Sequence, residues 1–435
     1  MSISEEMVPV LPQYQRSPKA NVFAALFPNR ALEVDVGRTR RYPGLLGLAP
    51  DTRALYDAAA QVLVGADRVL DYGCGSGMGA AELRCHFDRV TAVDCDPLAV
   101  EFASAYLRSV RVAQDDARAS VSPEQLHDGL VIIDVLGQTL APDAALRAAR
   151  RWLRADGRLF IAEPRACPSQ ALQPPVVRAF TRPSLVSLLA RAGFEVVEWI
   201  EGTGNFLACL ARPVSSEDFQ CFAEAHAALV AGRPAQALSA YAAMRAEAPR
   251  ALRTEALLGR AEVLAAAGEF PAACQAVLDA ATLSPDDARS LAGLSELSFV
   301  TGDSARSLEL AIGAVERDPC EPNAVQSLAR AAEGLQRDEA FASWRIANGL
   351  APADIGVASE TSRLASERGE HMYAIWVLER LRDFHGDLGV DYHVTLAWLY
   401  VNAGRQGEAR LEAELARAKD PDAMGVKELW AHLGS

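Results

Sequence analysis

The chain lacks the sequence features of membrane and secreted proteins. Its 435 residues contain no apolar run of about 18 residues, the length that a membrane-spanning helix needs. The first residues, Met-Ser-Ile-Ser-Glu-Glu, have neither the basic start nor the apolar core of a signal peptide. We therefore expect a cytoplasmic protein without a membrane span.

Metal-binding and disulfide patterns are also missing from the sequence. The eight cysteines include no Cys-x-x-Cys pair, and they do not cluster with the seven histidines. This spacing supports neither a zinc site nor a disulfide framework. We expect eight reduced thiols and no metal site.

Charge is distributed unevenly along the chain. Residues 1–215 carry 23 Lys and Arg against 24 Asp and Glu, whereas residues 216–435 carry 20 against 33. A solvated acidic helical surface is the usual meaning of such an excess, and a surface that attracts basic partners is the alternative. Neither part has the basic, aromatic-rich pattern of a nucleic-acid groove, so we expect no nucleic-acid partner.

Residues 69–77, Val-Leu-Asp-Tyr-Gly-Cys-Gly-Ser-Gly, combine an apolar strand, an acid and three alternating glycines. Glycines let the backbone bend and approach a ligand without a Cβ, and residues 79–87 are predicted to continue as a helix. A second apolar strand, residues 90–93, ends at Asp94. Asp94 lies about 20 residues beyond the turn, where an acid can bind ribose hydroxyls. The pattern predicts a nucleoside site.

Asp71 indicates which nucleoside the turn holds. Residues 75–80 also satisfy the loose G-x-G-x-x-A pattern of dinucleotide-binding turns. A carboxylate two residues before Gly73 would repel a pyrophosphate docked in that turn. S-adenosylmethionine carries an ammonium and a sulfonium instead, which a carboxylate attracts. The predicted cofactor is therefore S-adenosylmethionine.

Four blocks of sequence resemble class I S-adenosylmethionine-dependent methyltransferases, over roughly residues 50–212. The blocks are residues 69–77, residues 90–97 (Val-Thr-Ala-Val-Asp-Cys-Asp-Pro), residues 114–117 (Gln-Asp-Asp-Ala), and residues 127–138 with 153–164. The resemblance implies an α/β Rossmann-like fold over residues 51–213, with S-adenosylmethionine as the methyl donor.

The resemblance also implies roles for individual residues. Asp71 and the glycine turn would hold the methionine part of the cofactor, and Asp94 would hold the ribose. Asp116 would reach the adenine amino group, with Asp115 as the less favoured alternative. The implied cofactor-binding residues are Asp71, Gly73, Cys74, Gly75, Gly77, Asp94, Cys95 and Asp116.

The fourth block contains the candidate residues on the acceptor side. Many relatives have a histidine where this chain has Gln138, and a glutamine cannot act as a general base at neutral pH, so we expect it to orient the substrate. Asp134, at the end of the fourth strand, is a predicted catalytic residue, with capping of the next turn as the alternative. Glu163, after the fifth strand, is the other, and it either positions an acceptor hydroxyl or amine or anchors its loop.

Residues 1–50 are expected to form a lid over the acceptor pocket, as a segment before the glycine block does in many class I methyltransferases. Arg40 or Arg41 would bind a carboxylate or phosphate of the acceptor, and Tyr42 would line the pocket. A solvated basic run is the alternative. Arg41 and Tyr42 are thus candidate substrate-binding residues beside Gln138.

The second part of the chain follows a different pattern. Up to Pro213, short β-branched strands alternate with helical stretches, which is typical of a mostly parallel sheet. Its last two strands, residues 195–199 and 206–211, are predicted to form a hairpin. After Ser215 the strand signals end, and alanine, leucine and glutamate follow a helical period. This change predicts an all-α second region.

Glycines recur about every 34 residues in this region, with Leu335 in place of one of them. A small residue follows five positions later in each unit, and a proline ends most units. The pattern resembles tetratricopeptide (TPR) repeats of two helices each. It predicts six repeats over residues 218–421, the fourth degenerate, and a capping helix within 422–435. An irregular helical bundle is the alternative.

The two resemblances together imply a function. Methyl transfer to oxygen or nitrogen needs an aligned acceptor and the removal of a proton, and no catalytic triad. A small-molecule or saccharide acceptor fits the fourth block and its continuation best, while the TPR domain would recruit a protein or peptide or form a homodimer. Two alternatives stay open: a protein methyltransferase whose TPR domain holds the substrate, and a non-catalytic cofactor-binding scaffold.

Overall fold

The computed structural model describes most of the chain, namely residues 49–107, 110–114, 123–167, 172, 176–386 and 388–434. By their contacts these residues form two compact units. The first unit lies within residues 41–167 and 178–335, and the second within 168–177 and 336–435. Residues 1–48 of the predicted lid, with Arg41 and Tyr42, lie outside the described residues.

Seven strands form one sheet in the first unit. They are β1 (Arg68–Tyr72), β2 (Arg89–Asp94), β3 (Arg111–Gln114), β4 (His127–Ile133), β5 (Leu153–Pro164), β6 (Phe194–Ile200) and β7 (Phe206–Pro213). Their order is β3-β2-β1-β4-β5-β7-β6. Strands β1 to β5 pair in parallel, whereas β7 is antiparallel to both β5 and β6. The predicted α/β class and the predicted terminal hairpin are confirmed.

Helices cover both faces of this sheet. They are α1 (Pro50–Val62), α2 (Met78–Leu83), α3 (Pro97–Tyr106), α4 (Pro142–Arg150) and α5 (Arg182–Arg191). Because side chains alternate along a strand, Leu70 packs in the core that contains α4 and α5, and Val69 packs in the core with α1 and α2. Burial on both faces explains the nearly continuous apolar runs of the central strands. Helix α2 is shorter than predicted and ends at Leu83, where a turn leads into β2.

The strand order creates a crevice at one edge of the sheet. Strands β1 and β4 are parallel neighbours, with Asp71 opposite Val131. After β1 the chain goes on to β2, and after β4 it goes on to β5, so the two connections lead in opposite directions along the strand order. In open parallel sheets ligands bind outside the carboxyl ends of such a pair. The residues that follow β1 and β4 therefore lie where a ligand is expected.

Thirteen helices follow the sheet in the part of the chain that the structure describes. In the first unit they are α6 (Ser216–Val230), α7 (Pro234–Ala242), α8 (Arg250–Ala266), α9 (Phe270–Leu283), α10 (Ala288–Val300), α11 (Ser304–Arg317) and α12 (Pro322–Gly334). In the second they are α13 (Glu339–Leu350), α14 (Ile355–Glu367), α15 (His371–His385), α16 (Val390–Asn402), α17 (Gln406–Lys419) and α18 (Met424–Leu433). No helix in the described part of the chain is long and apolar enough to cross a membrane.

The turns between paired helices explain the regular glycines. The regularly spaced glycines all have a positive φ; they are Gly232, Gly268, Gly302, Gly369 and Gly404. After each of them the next N–H bonds back to a carbonyl five residues earlier, as Arg233 N does to Ala228 O at 2.8 Å. This bond marks a Schellman turn, in which glycine adopts the left-handed backbone at little cost. The helical region is compatible with a TPR-like solenoid.

The fourth repeat has a residue with a positive φ at this place, but it is not a glycine. We expected Leu335 at the glycine position, and this is wrong by one residue. Leu335 has a negative φ of −97° as the C-cap of α12, whereas Gln336 has the positive φ of 53°. A non-glycine residue in this conformation is strained. The small residues predicted in the second helices are all buried; they are Ala237, Ala273, Ser307, Ala340, Ala374 and Ala409.

The sheet and the first helix pairs pack together inside the first unit. Arg289 at the start of α10 donates to the Ser187 hydroxyl of α5 at 2.7 Å, and it forms an ion pair with Glu255 of α8 at 2.7 Å. Arg191 of α5 lies 3.7 Å from the same Glu255 carboxylate. Composition changes near residue 215, but the boundary between compact units lies near residue 335.

Candidate functional site

The glycine turn after β1 is packed on one side and open on the other. Gly73, Gly75 and Gly77 all have a positive φ, of 79°, 53° and 81°. A Cβ on Gly73 would lie 2.5 Å from a methyl carbon of Val135, and a Cβ on Gly77 would overlap Leu107. A Cβ on Gly75 would meet no atom within 4 Å. Gly73 and Gly77 thus allow close packing, and Gly75 faces the space that a ligand would enter.

Asp94 connects this turn to β2. Its carboxylate is buried and accepts hydrogen bonds from Gly75 N and from Asp96 N, both at 2.9 Å. These two bonds hold the glycine turn against the end of β2. Of the two cysteines expected near the cofactor, Cys74 is buried within the turn and Cys95 is exposed after β2.

Asp71 is paired with a tyrosine that the sequence analysis did not identify. The Tyr56 hydroxyl of α1 lies 3.2 Å from Asp71 Oδ1 and 3.5 Å from Oδ2 and donates to this carboxylate. Burial raises the pKa of Asp71 to about 7, with a smaller rise from Asp94, while the Tyr56 hydrogen bond lowers it. Gly79 is the sequence feature that could have pointed to Tyr56, because a Cβ on Gly79 would overlap the Tyr56 ring.

Asp134 follows β4 and combines strain with an unmet hydrogen bond. Its φ is 55°, which is costly for a non-glycine residue. Its buried Oδ1 has no hydrogen-bond partner among the described residues. Burial raises the pKa of Asp134, and the Gln138 side chain acts in the opposite direction. Gln138 Nε2 also donates to the carbonyl of Asp134 at 2.8 Å, so it holds this residue in place.

Glu163 is bound entirely to backbone. Its Oε1 accepts from Val135 N and Leu136 N at 3.1 and 2.8 Å, and its Oε2 accepts from Gly137 N at 2.9 Å. Burial raises the pKa of Glu163 to about 8, with a contribution from Asp134, although the amide donors lower it. This geometry favours the loop-anchoring role over contact with an acceptor.

The edge of the sheet is a buried acidic site. Asp71, Asp94, Asp134 and Glu163 lie at the carboxyl ends of β1, β2, β4 and β5. Within the described ranges no lysine or arginine forms an ion pair with Asp71, Asp134 or Glu163. An excess of carboxyl groups here favours a cationic ligand and disfavours a pyrophosphate. The residues fit the ammonium and sulfonium of S-adenosylmethionine.

Other expected contacts cannot be placed beside this site. Asp116, expected at the adenine, and its alternative Asp115 lie outside the described residues. The same holds for Arg41 and Tyr42 of the expected acceptor pocket. The described site therefore consists of the glycine turn with its acids and the segment that follows β4.

Comparison with known proteins identifies the class of the sheet domain. Residues 45–199 match the family of methyltransferase domains. The ribosomal protein L11 methyltransferase of Cupriavidus pinatubonensis is 32% identical over 160 residues, which cover 36% of this chain and 48% of that protein. The chain thus spans about half the length of the curated relatives that it matches.

Solved structures similar to parts of the chain include a methyltransferase and a TPR protein. The 1,6-didemethyltoxoflavin-N1-methyltransferase of Burkholderia thailandensis is 26% identical; the match covers 38% of this chain and 80% of that protein, with a TM-score of 0.31. YrrB, a TPR protein with an unusual peptide-binding site, is 14% identical; the match covers 40% of this chain and 86% of that protein, with a TM-score of 0.33.

The family match and the geometry of the turn agree with each other. Residues 45–199 contain a methyltransferase domain, as the four sequence blocks predicted. The cofactor of this class, S-adenosylmethionine, is the one predicted from Asp71 and the glycine turn. The matched range includes Asp71, Asp94 and Asp134.

Proposed function

We propose that the chain is a methyltransferase that transfers the methyl group of S-adenosylmethionine to an oxygen or nitrogen of a small-molecule or saccharide acceptor. The buried Oδ1 of Asp134, which has no partner among the described residues, carries this proposal. An unpartnered acceptor atom in a strained residue beside the cofactor turn is suited to bind an O–H or N–H group.

Different residues of the chain bind the cofactor and align the acceptor. Asp71 and the glycine turn hold the methionine part, Asp94 holds the ribose, and Asp116 contacts the adenine. The cofactor supplies a carbon already activated by a sulfonium. Asp134 then fixes the acceptor so that its lone pair points at that carbon, and Gln138 and Glu163 keep the Asp134 segment in position.

Proton removal follows from the same placement of Asp134. An O–H or N–H acceptor must lose its proton when it is methylated, and the Asp134 carboxylate would take that proton. The raised pKa of Asp134 makes its ionised form a better base than an exposed aspartate. Arg41 and Tyr42 are proposed to bind the rest of the acceptor.

The helical region is proposed to bind a protein or peptide, or a second copy of the chain. A protein acceptor is the second candidate function, because the curated relatives are named ribosomal protein L11 methyltransferases. A non-catalytic scaffold is less favoured, since the cofactor turn is intact and Asp134 has an unmet acceptor atom. We also propose a cytoplasmic location, because the spacing of the eight cysteines in the sequence indicates reduced thiols.

Methyl-labelled S-adenosylmethionine tests this function directly. The full chain is incubated separately with a panel of hydroxyl and amine compounds, with saccharides and with ribosomal proteins, and transferred label is measured. We expect labelling of a small acceptor, with Asp134→Asn slowing transfer by about 10²–10⁴-fold at unchanged cofactor affinity. Asp88→Asn, at an exposed position after α2, is the matched control. Labelling of ribosomal proteins alone would favour the second candidate, and full activity of Asp134→Asn would contradict the role of Asp134.

A further inference from the structure

Arg380 of α15 is a buried cation without a hydrogen-bond partner. It is 5% exposed, and among the described residues nothing accepts a hydrogen bond from its Nε, Nη1 or Nη2. Burial lowers the pKa of Arg380 to about 10, so it remains charged at neutral pH. A buried charge without a partner is among the most costly features of a folded protein.

Aromatic rings pack on Arg380 but do not replace a partner. Its guanidinium carbon lies 5.1 Å from the ring centre of Trp376 and 5.8 Å from that of Phe384. These residues are four positions on either side of Arg380, so all three share one face of α15. Cation–π contacts use the face of the guanidinium, whereas its N–H groups point outward in its plane. The fork is buried, and an anion held in its plane would meet these unmet donors.

Side chains of α13 lie against this face of α15. The ring of Phe341 lies 6.2 Å from that of Tyr373, and the Arg345 guanidinium lies 4.8 Å from the Tyr373 ring. Asn348 follows three positions after Arg345, on the same face of α13. Its buried Nδ2 is another donor without a partner in the described part of the chain. The seam between α13 and α15 therefore holds two unmet donors.

Other cations lie near the seam, and among the described residues no acid forms an ion pair with Arg380. Arg368, the C-cap of α14, lies 5.1 Å from the centre of the Phe341 ring. Asp383 is the acid that acts on Arg380 electrostatically, but it is exposed and makes no ion pair with it in the described structure. This half of the chain has 33 acidic residues against 20 basic ones, yet none of the ion pairs of the described residues involves Arg380.

We propose that the seam between α13 and α15, defined by Phe341, Arg345, Asn348, Tyr373, Trp376, Arg380 and Phe384, is a binding site for an oxyanion. A carboxylate or a phosphate of a ligand accepts two parallel hydrogen bonds from Arg380. The aromatic rings hold the guanidinium flat, and Asn348 offers a further donor. All of its residues belong to the second compact unit, whereas the cofactor turn belongs to the first.

Thermal unfolding of the full chain in the presence of simple anions tests this site. The probes are inorganic phosphate and acetate, each compared with chloride at the same ionic strength. Binding to the folded state raises its stability, and we expect a rise in Tm of about 2–4 °C near saturation with at least one probe. A response to phosphate alone would assign a phosphorylated ligand, and a response to acetate alone a carboxylate ligand.

Variants separate the site from a general salt effect. Arg380→Met should abolish the response to the anion and leave the Tm in chloride equal to or above that of the wild type, because it removes an unpaired buried charge. Arg380→Lys should keep a weaker response, since it lacks the guanidinium fork. Arg417→Met, at an exposed arginine that lies 5.5 Å from the Trp430 ring, should respond like the wild type. Absence of any anion response in the wild type, or a full response in Arg380→Met, would overturn the proposal.

Discussion

Glycines with the same backbone conformation serve different purposes in the sheet domain and in the helical region. Gly73 has a φ of 79° and Gly268 has a φ of 78°. A Cβ on Gly73 would press against Val135, whereas a Cβ on Gly268 would meet nothing within 4 Å. The helix turn thus needs glycine for its backbone angle alone. The cofactor turn needs it for the angle and for close packing.

Buried acids differ between the two regions in a similar way. Glu412 in α17 is buried, and both of its oxygens are used, by Arg382 at 2.8 Å and by His393 at 2.7 Å. Asp134 is also largely buried, but its Oδ1 has no partner among the described residues. A paired buried acid stabilises the fold, whereas an unpaired acid beside an open turn is available to a ligand.

The largest effect is expected for Gly73→Ala. A left-handed backbone costs an alanine roughly 1–2 kcal/mol, and contact with Val135 adds about 1–3 kcal/mol of overpacking. We expect loss of measurable S-adenosylmethionine binding together with a lower free energy of unfolding. Chemical denaturation and calorimetric titration measure the two effects. Normal cofactor affinity in Gly73→Ala would show that the turn is not the binding element.

Asp94→Ala should have the next largest effect. It removes the proposed ribose contact and the hydrogen bond that Gly75 N donates. Cofactor binding should weaken by about 1–3 kcal/mol, which is roughly 5- to 150-fold in Kd. Calorimetry with S-adenosylmethionine measures this change, and Asp88→Ala at an exposed position is the control. Unchanged affinity would show that the ribose lies elsewhere.

A smaller effect is expected from pH. The pKa of Asp71 is about 7, so its carboxylate is mostly ionised above pH 7 and mostly protonated below it. Because the ionised form attracts a cation, affinity for S-adenosylmethionine should fall up to about tenfold between pH 8 and pH 6. Asp71→Asn should remove this dependence and bind weakly at both pH values. A flat profile for the wild type would argue against contact between Asp71 and the cofactor.

Gly268→Ala should have the smallest effect. It keeps the free space around the turn between α8 and α9 but requires a left-handed alanine, at a cost of roughly 1–2 kcal/mol. Gly268→Asn should cost less, because asparagine tolerates this conformation better. Denaturant unfolding measures both variants, and cofactor affinity should not change. If Gly268→Ala lowered the free energy of unfolding as much as Gly73→Ala does, the distinction between the two turns would be wrong.

The parts of the fold that sequence predicted are those with local signals. The glycine turn, the approach of Asp94 to it and the β6–β7 hairpin depend on short stretches of residues. The paired helices follow from a period that repeats many times. These features were therefore accessible from spacing and from resemblance to known families.

The missed features depend on contacts between distant residues. Tyr56 reaches Asp71 from a helix that carries no motif, and the bonds that fix Glu163 come from backbone amides almost 30 residues away. The packing of α8 on α5 through Arg289 has no periodic signature either. The shift from Leu335 to Gln336 arose because no glycine marks the left-handed position of this repeat in the sequence.

The most direct test of this account is calorimetric titration of the full chain with S-adenosylmethionine and, separately, with NAD. The buried carboxyl groups around the glycine turn should favour the cationic cofactor and exclude the pyrophosphate. We predict binding of one S-adenosylmethionine per chain and no heat of binding with NAD. Binding of NAD, or of neither compound, would contradict the assignment of this turn as a methyl-donor site.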